Sequence, residues 1–117
     1  MNAVVTAGTR ASGADSVEVL ERSGGRLEVK GALTFATARK ARQQGLHLLS
    51  VSSVRELEVD CSGITASDSA GLTVLLDWLA AAKRENRSLR LSNLPAPIRA
   101  VAQISDVVEL LEAGVSG

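Results

Sequence analysis

The sequence predicts a single α/β domain in which a mixed β-sheet has its helices packed mainly on one face. Four short segments alternate polar and apolar residues with the period of a half-buried strand. Four other segments repeat apolar residues at helical spacing, and the two kinds follow one another in the order β-β-α-β-α-β-α-α. A length of 117 residues, of which 45% are hydrophobic and 22% charged, is typical of one soluble globular domain.

The first part of the chain predicts a hairpin followed by a helix. Residues 17–22 and 26–30 alternate as strands, and Ser23-Gly24-Gly25 between them is a plausible tight turn, since glycine tolerates positive φ. Thr34 is the expected N-cap of a helix over residues 35–50. The residues of this helix that are expected to face inward are Phe35, Ala38, Ala41, Leu48 and Leu49.

The second part of the chain predicts two strands and three helices. Residues 56–61 and 88–92 alternate as strands, and residues 69–84, 96–104 and 106–112 have helical periodicity. In the helix over residues 96–104, Ile98, Val101 and Ile104 are expected to face inward. The last helix has Asp106 as its expected cap and Val107, Leu110 and Leu111 as apolar residues.

The composition argues against several classes of partner. Thirteen basic residues balance thirteen acidic ones, so the net charge of zero creates no field that would attract nucleic acid or an anionic membrane. Phe35 and Trp78 are the only aromatic residues, too few for a surface on which bases stack. Cys61 is the single cysteine, which excludes an internal disulfide and a cysteine-based metal site.

Two segments bear on whether the chain could enter a membrane or carry a signal peptide. The longest apolar run, residues 72–82, is interrupted by Asp77 and is too short to cross a bilayer, so no direct membrane insertion is expected. Residues 1–15 are small and polar, lack the apolar core of a signal peptide, and are expected to form a disordered tail before a domain over residues 16–117. The expected location is the cytoplasm.

The stretch Asp68-Ser69-Ala70-Gly71-Leu72 carries the most functional information, because it joins a strand pattern to a helix pattern. The hydroxyl of Ser69 falls in or beside the first helical turn, where backbone N–H groups are unpaired and negative charge is favoured. Such a hydroxyl can accept a phosphate, contact a partner, act as a nucleophile or cap the helix. Ser67 and Asp68 are alternative caps.

Catalysis by Ser69 has little support in the sequence. The hydrolase elbow Gly-x-Ser-x-Gly is incomplete, because Ser67 replaces its first glycine, and the only histidine, His47, lies within a helix pattern. Asp60 and Asp68 could be a metal pair, but ending a strand and capping a helix explain them without a metal. No phosphate-binding loop is present. We therefore expect no enzyme activity, no metal and no cofactor.

Two segments together resemble the central signature of STAS domains, the folds of anti-sigma-factor antagonists and of sulfate-transporter tails. These are Glu56-Leu57-Glu58-Val59-Asp60-Cys61-Ser62-Gly63-Ile64 and Asp68-Ser69-Ala70-Gly71-Leu72. Gly31-Ala32-Leu33-Thr34 resembles the family's segment after its second strand, and residues 94–99 and 107–111 resemble its C-terminal helices. The resemblance covers about residues 17–113 and implies a STAS fold with the element order stated above.

The resemblance implies two competing functions. In the antagonists, the residue that matches Ser69 is phosphorylated by a partner kinase, which switches binding. In the small STAS subunit of the Mla phospholipid transporter, a hydroxyl residue at that position lies at the contact with the cytoplasmic ATPase. Residues 33–38 look like the second group and lack the acidic pair that antagonists more often carry nearby.

The resemblance therefore favours a non-catalytic subunit that binds and regulates the ATPase of a Mla-type phospholipid ABC transporter, which maintains outer-membrane lipid asymmetry. Such a subunit would be peripheral to the inner membrane through its partner. An anti-sigma-factor antagonist that is switched by phosphorylation of Ser69 remains the alternative.

The expected partner-binding residues surround Ser69 and extend along the helix that follows it. Ser69 is also the candidate phosphorylation site. Val74 and Trp78 lie beside the apolar stripe of this helix, and either a partner or a neighbouring helix could cover them. The full expected set is Thr65, Asp68, Ser69, Ala70, Gly71, Val74 and Trp78.

Overall fold

Residues 16–116 are described by the structure, a computed structural model, and they form four strands and four helices in the predicted order. In chain order the elements are β1 (Val17–Arg22), β2 (Arg26–Leu33), α1 (Ala38–Val51), β3 (Glu56–Ser67), α2 (Ser69–Arg84), β4 (Ser88–Ser92), α3 (Ala96–Ile104) and α4 (Val108–Ala113). The predicted disordered tail at residues 1–15 lies outside the described residues.

The sheet is mixed, as predicted, with the strand order β1-β2-β3-β4. The strands β1 and β2 are antiparallel and are joined by the turn Ser23–Gly25, in which Gly24 has a φ of 75°. β2 pairs with β3 and β3 with β4 in parallel, each through a crossover helix. Because parallel strands share one direction, the carboxyl ends of β2 and β3 meet at the same edge of the sheet.

One face of the sheet packs against the helices, as predicted, and the other carries charged side chains. Along β4, buried Leu89 and Leu91 alternate with exposed Arg90. On the charged face, Arg90 forms an ion pair with Glu58 of β3 at 3.3 Å. This alternation places the hydrophobic core between one side of the sheet and the helices.

The helix α1 begins three residues later than the sequence predicts, at Ala38 instead of residue 35. The hydroxyl of Thr37 donates to the carbonyl of Ala32 at 2.6 Å and accepts from the backbone N–H of Thr34 at 3.0 Å. These bonds close a turn over residues 34–37 and keep it out of the helix. As a result Phe35, which was expected to face inward, is 85% exposed.

The strand β3 is twice as long as the predicted 56–61 and continues to Ser67. Its second half is paired with β2 past an irregularity in register, with Ala32 opposite Ala66 and Leu33 opposite Ser67. A Cβ at Gly63 would lie 2.7 Å from the carbonyl oxygen of Val29, so glycine permits the close approach there. The sequence does not predict this second half as a strand, because polar and apolar residues do not alternate regularly in it.

The two C-terminal helices depart from the prediction at their junction. Asp106 has a φ of 61° and turns the chain, so α4 begins at Val108 and its N-cap is Val107 instead of Asp106. Ile104 was expected to face inward, but it is the last residue of α3 and is 87% exposed. At Ile104, the last turn of α3 is not covered by another element.

The helices α1 and α2 pack directly on each other and bury Trp78, which is only 1% exposed. The indole Nε1 of Trp78 donates to the carbonyl of Arg42 at 3.3 Å, and a Cβ at Gly45 would overlap the indole ring. Val74 is also in the core, with 2% exposure. The expectation that Val74 and Trp78 contact a partner is therefore wrong: α1 covers the indole, and both side chains belong to the core.

Candidate functional site

Asp68 is the N-cap of α2, which settles which residue of the junction performs that task. It has an extended backbone, with a φ of −147°, and its Oδ1 accepts hydrogen bonds from the N–H groups of Ala70 at 2.9 Å and Gly71 at 3.2 Å. A carboxylate at this position satisfies two donors that the helix leaves unpaired, and it complements the helix dipole. Ser69 is therefore released from capping.

Ser69 is exposed in the first turn of α2, and among the described residues no hydrogen bond engages its hydroxyl. Its carbonyl accepts from the hydroxyl of Thr73 at 3.2 Å, one helical turn later. The hydroxyl is thus held on a rigid helix and remains free to meet a partner or to accept a phosphate.

Gly71 allows α2 to start very close to the end of β2. A Cβ at this position would collide with the carbonyl oxygen of Leu33, and the carbonyl carbon of Leu33 would lie at 3.2 Å. The Asp-Ser-x-Gly stretch thus has a physical explanation in this fold. The aspartate caps the helix, the serine faces outward, and the glycine lets the helix and the strand touch.

Asp68 also holds the turn that follows β2. Its second carboxylate oxygen, Oδ2, accepts from the backbone N–H of Phe35 at 3.0 Å. One side chain therefore joins two segments that lie 33 residues apart in the chain. Sequence reasoning missed this second role of Asp68, because nothing local to residues 34–37 indicates a distant carboxylate.

The residues predicted around Ser69 divide into two groups in the structure. Asp68, Ser69, Ala70 and Gly71 lie together in the first turn of α2, and Thr65 is exposed near the carboxyl end of β3, which leads into that turn. The other two, Val74 and Trp78, lie in the core as described above.

The two segments that meet at the Ser69 turn carry very little charge, and the next charged residues along the chain are Arg39 and Lys40 of α1 and Asp77 of α2. In the two segments that form this edge, residues 31–38 and 62–76, Asp68 is the only charged residue. Both of its oxygens are already engaged by backbone N–H groups. A phosphate on Ser69 would add roughly −1.5 to −2 charges at neutral pH and would change the character of this surface completely.

Hydrogen bonds engage the N–H groups of Ala70 and Gly71, which bears on how a phosphate could be held there. The first amides of a helix can bind a phosphate, but the N–H groups of Ala70 and Gly71 already donate to Asp68. A phosphate would have to displace this carboxylate or stand beside it. Modification would therefore act mainly through charge and repulsion.

The alternative chemistry that we considered finds no supporting contact in residues 16–116. His47 is exposed in the second half of α1, and Cys61 is buried, which raises the pKa of its thiol to about 12. No cluster of three metal-ligating side chains occurs in this range. The carboxylates of Asp60 and Asp68, which could have been a metal pair, each accept hydrogen bonds from a separate set of partners.

Asp60 lies on the charged face of the sheet and is nearly buried, with 7% exposure. Its carboxylate accepts from the side-chain amide of Asn93 at 3.0 Å, from the backbone N–H of Ser62 at 2.9 Å and from Arg26 at 3.0 Å. These bonds, that from Asn93 above all, hold the pKa of Asp60 well below its usual range. Asp60 therefore has a structural role in joining β2, β3 and the end of β4.

None of the helices within residues 16–116 has both the length and the hydropathy that crossing a bilayer requires. The longest is α2, with 16 residues.

Comparison with known proteins identifies the fold. The family model described as Mlab, STAS domain, matches residues 17–112. Among solved structures, the chain is similar to the anti-sigma factor antagonist SpoIIAA in its unphosphorylated form, with a TM-score of 0.58 and 14% sequence identity over 76% of this chain and 83% of that one. At this identity the likeness concerns the fold alone. No curated protein matches the chain.

Proposed function

The chain belongs to the STAS domain family, and we propose that it is a non-catalytic subunit that binds and regulates the cytoplasmic ATPase of a Mla-type phospholipid ABC transporter. STAS domains are generally regulatory or binding domains. The match of residues 17–112 to the family described as Mlab, STAS domain, is the observation that carries this choice of partner. In this proposal the domain spans residues 16–117 and lies at the inner membrane only through its partner.

The contact in this proposal is made by the first turn of α2. The exposed hydroxyl of Ser69 has no hydrogen-bond partner among residues 16–116, and it stands on a helix start that Asp68 caps and that Gly71 lets approach β2 closely. The surrounding segments are almost uncharged, which suits a protein–protein interface whose centre loses its water. Thr65 lies next to this turn and would extend the contact along β3.

The binding experiment uses the purified chain and the transporter ATPase from the same cell. We expect the wild-type protein to bind the ATPase and to change its rate of ATP hydrolysis. Ser69→Glu should raise the Kd at least about tenfold, because a carboxylate would be buried without a partner. Ser69→Ala should be milder unless the hydroxyl bonds across the interface, where an unpaired group costs about 1–3 kcal/mol.

A matched control separates the effect of position from the effect of charge. Ser53 is exposed in the loop that leads into β3, at the opposite end of that strand from Ser69. Ser53→Glu introduces the same charge and should leave the Kd unchanged. If the wild-type chain does not bind the ATPase, the proposed function is wrong.

An anti-sigma-factor antagonist is the second candidate, and the free hydroxyl of Ser69 together with the SpoIIAA-like fold favours it. In this case the partner is an anti-sigma kinase that phosphorylates Ser69. Incubation with the kinase and ATP should then add one phosphate, which Ser69→Ala abolishes, and the phosphate should release the partner. Phosphate transfer of this kind, combined with no affinity for the transporter ATPase, would decide for the second candidate.

A further inference from the structure

Phe35 is the exposed aromatic side chain beside the Ser69 site. It is 85% exposed, and it is the only phenylalanine in a chain with a single tryptophan and no tyrosine. Large apolar side chains are usually buried in a monomeric domain, and aromatic residues are enriched in the centres of protein interfaces. The backbone N–H of Phe35 is bonded to the cap of the helix that carries Ser69, so this exposed ring is a candidate contact with the same partner.

Two sets of hydrogen bonds hold the turn that carries Phe35. The backbone N–H of Phe35 donates to Asp68 Oδ2 at 3.0 Å, which fixes the turn to the start of α2. The hydroxyl of Thr37 braces the same turn from within, through Ala32 and Thr34. The backbone is thus ordered before any partner binds, which lowers the entropy lost on association.

Phe35 and Ser69 lie on the two segments that Asp68 joins. The carboxylate that accepts from the N–H of Phe35 also caps the helix turn that presents Ser69. Ala36, next to Phe35, is exposed as well, and no charged residue occurs in residues 31–38. An apolar ring therefore lies on the uncharged turn that Asp68 joins to the turn of Ser69, whose hydroxyl has no hydrogen-bond partner among residues 16–116.

We propose that Phe35 is the hydrophobic anchor of the contact with the transporter ATPase and that its ring enters an apolar cavity on that protein. The inference rests on the proposed function and extends it to a residue on a different element. Around the anchor, this chain offers the uncharged residues 31–38 and the hydroxyl of Ser69 to the ATPase. Asp68 positions the anchor and the hydroxyl relative to each other.

Three variants of the full chain test this inference. Phe35→Ala removes the ring and should raise the Kd for the ATPase about tenfold or more, the effect of losing an interface anchor. Phe35→Leu keeps an apolar side chain and should lose less. The matched control is Ile104→Ala, because Ile104 is 87% exposed but lies at the end of α3; its Kd should equal that of the wild type.

The thermal unfolding midpoint of each variant shows whether a lost contact or a lost fold is responsible. Because both side chains are exposed, the midpoint should stay within about 3 °C of the wild type. Wild-type affinity for Phe35→Ala, in a protein whose affinity falls with Ser69→Glu, would overturn the inference and leave the proposed function standing. A wild-type chain without affinity for the ATPase would overturn both.

Discussion

Gly71→Ala is the substitution that connects the packing of the fold most directly to the Ser69 site. Helix propensity alone predicts that alanine stabilises α2, by about 0.5–1 kcal/mol relative to glycine. The structure predicts the opposite, because the new Cβ would collide with the carbonyl oxygen of Leu33. This atom belongs to the backbone of β2 and cannot rotate away as a side chain could.

The size of the effect follows from the contact distances. Side-chain Cβ atoms essentially never approach another heavy atom closer than 3.0 Å, so α2 and the end of β2 must separate by roughly 0.5 Å or more. The hydrogen bond from the Phe35 N–H to Asp68 spans the same gap at 3.0 Å, and the separation would stretch it beyond a useful length. Overpacking costs about 1–3 kcal/mol, so the net loss of stability should be about 1–2 kcal/mol.

Thermal unfolding and partner affinity should both be measured for this variant. A loss of this size lowers the unfolding midpoint by about 5–15 °C in a domain of this length. Affinity for the partner should fall too, since the turn with Phe35 and the turn with Ser69 lose their common anchor.

The control for Gly71→Ala is Gly45→Ala, which also replaces a helical glycine but crowds the indole of Trp78 in the core. It should lower stability and leave the affinity of the folded protein unchanged. A Gly71→Ala protein that melts higher than the wild type, or binds equally well, would refute the reasoning.

Two further predictions concern the core and the charged face of the sheet. Trp78→Ala should cost about 3–5 kcal/mol of stability, because the ring is buried, while any protein that remains folded in the cold should bind its partner normally. Weakened binding at an unchanged melting temperature would contradict this. The second prediction is that Asn93→Gly, which removes the amide bonded to Asp60 but suits the φ of 56° at that position, lowers stability at neutral pH. Because the pKa of Asp60 is depressed in the folded state, its contribution is present above about pH 4 and is lost as the pH falls further, so the difference between wild type and variant should shrink in acid. Urea unfolding between neutral and acid pH would show it, and a pH-independent difference would disprove the role of Asp60.

The order of the elements and the cap of α2 could be predicted because their signals are local. Alternation and helical periodicity identify β4 and α2 with the bounds that the structure has, 88–92 and 69–84. The sequence left three candidate caps, Ser67, Asp68 and Ser69, and the hydrogen bonds of the first helical turn decide for Asp68.

Features that depend on contacts between distant segments could not be predicted. Phe35 was placed inside a helix because nothing in residues 34–38 reveals that Thr37 would bond back to Ala32 and Asp68 would hold the turn. Trp78 could equally face a partner or the core, and only the position of Gly45 on a different helix decides between them. Similarly, the guanidinium of Arg87 donates to the carbonyls of Leu49 and Ser52. The residues around Arg87 and those around Leu49 give no indication of this contact.

Buried Trp78 is an intrinsic fluorescent probe of how α1 and α2 pack against each other. The chain has one tryptophan and no tyrosine, so its near-ultraviolet fluorescence comes almost entirely from a single indole. This indole belongs to α2, the helix that begins with Ser69, and it donates to the carbonyl of Arg42 in α1. A change in emission therefore reports how the two helices sit on each other, without any attached label. The fluorescence of Trp78 in the unmodified protein would show whether a binding partner tilts α2. The tryptophans of the partner must be replaced, so that Trp78 alone contributes to the signal.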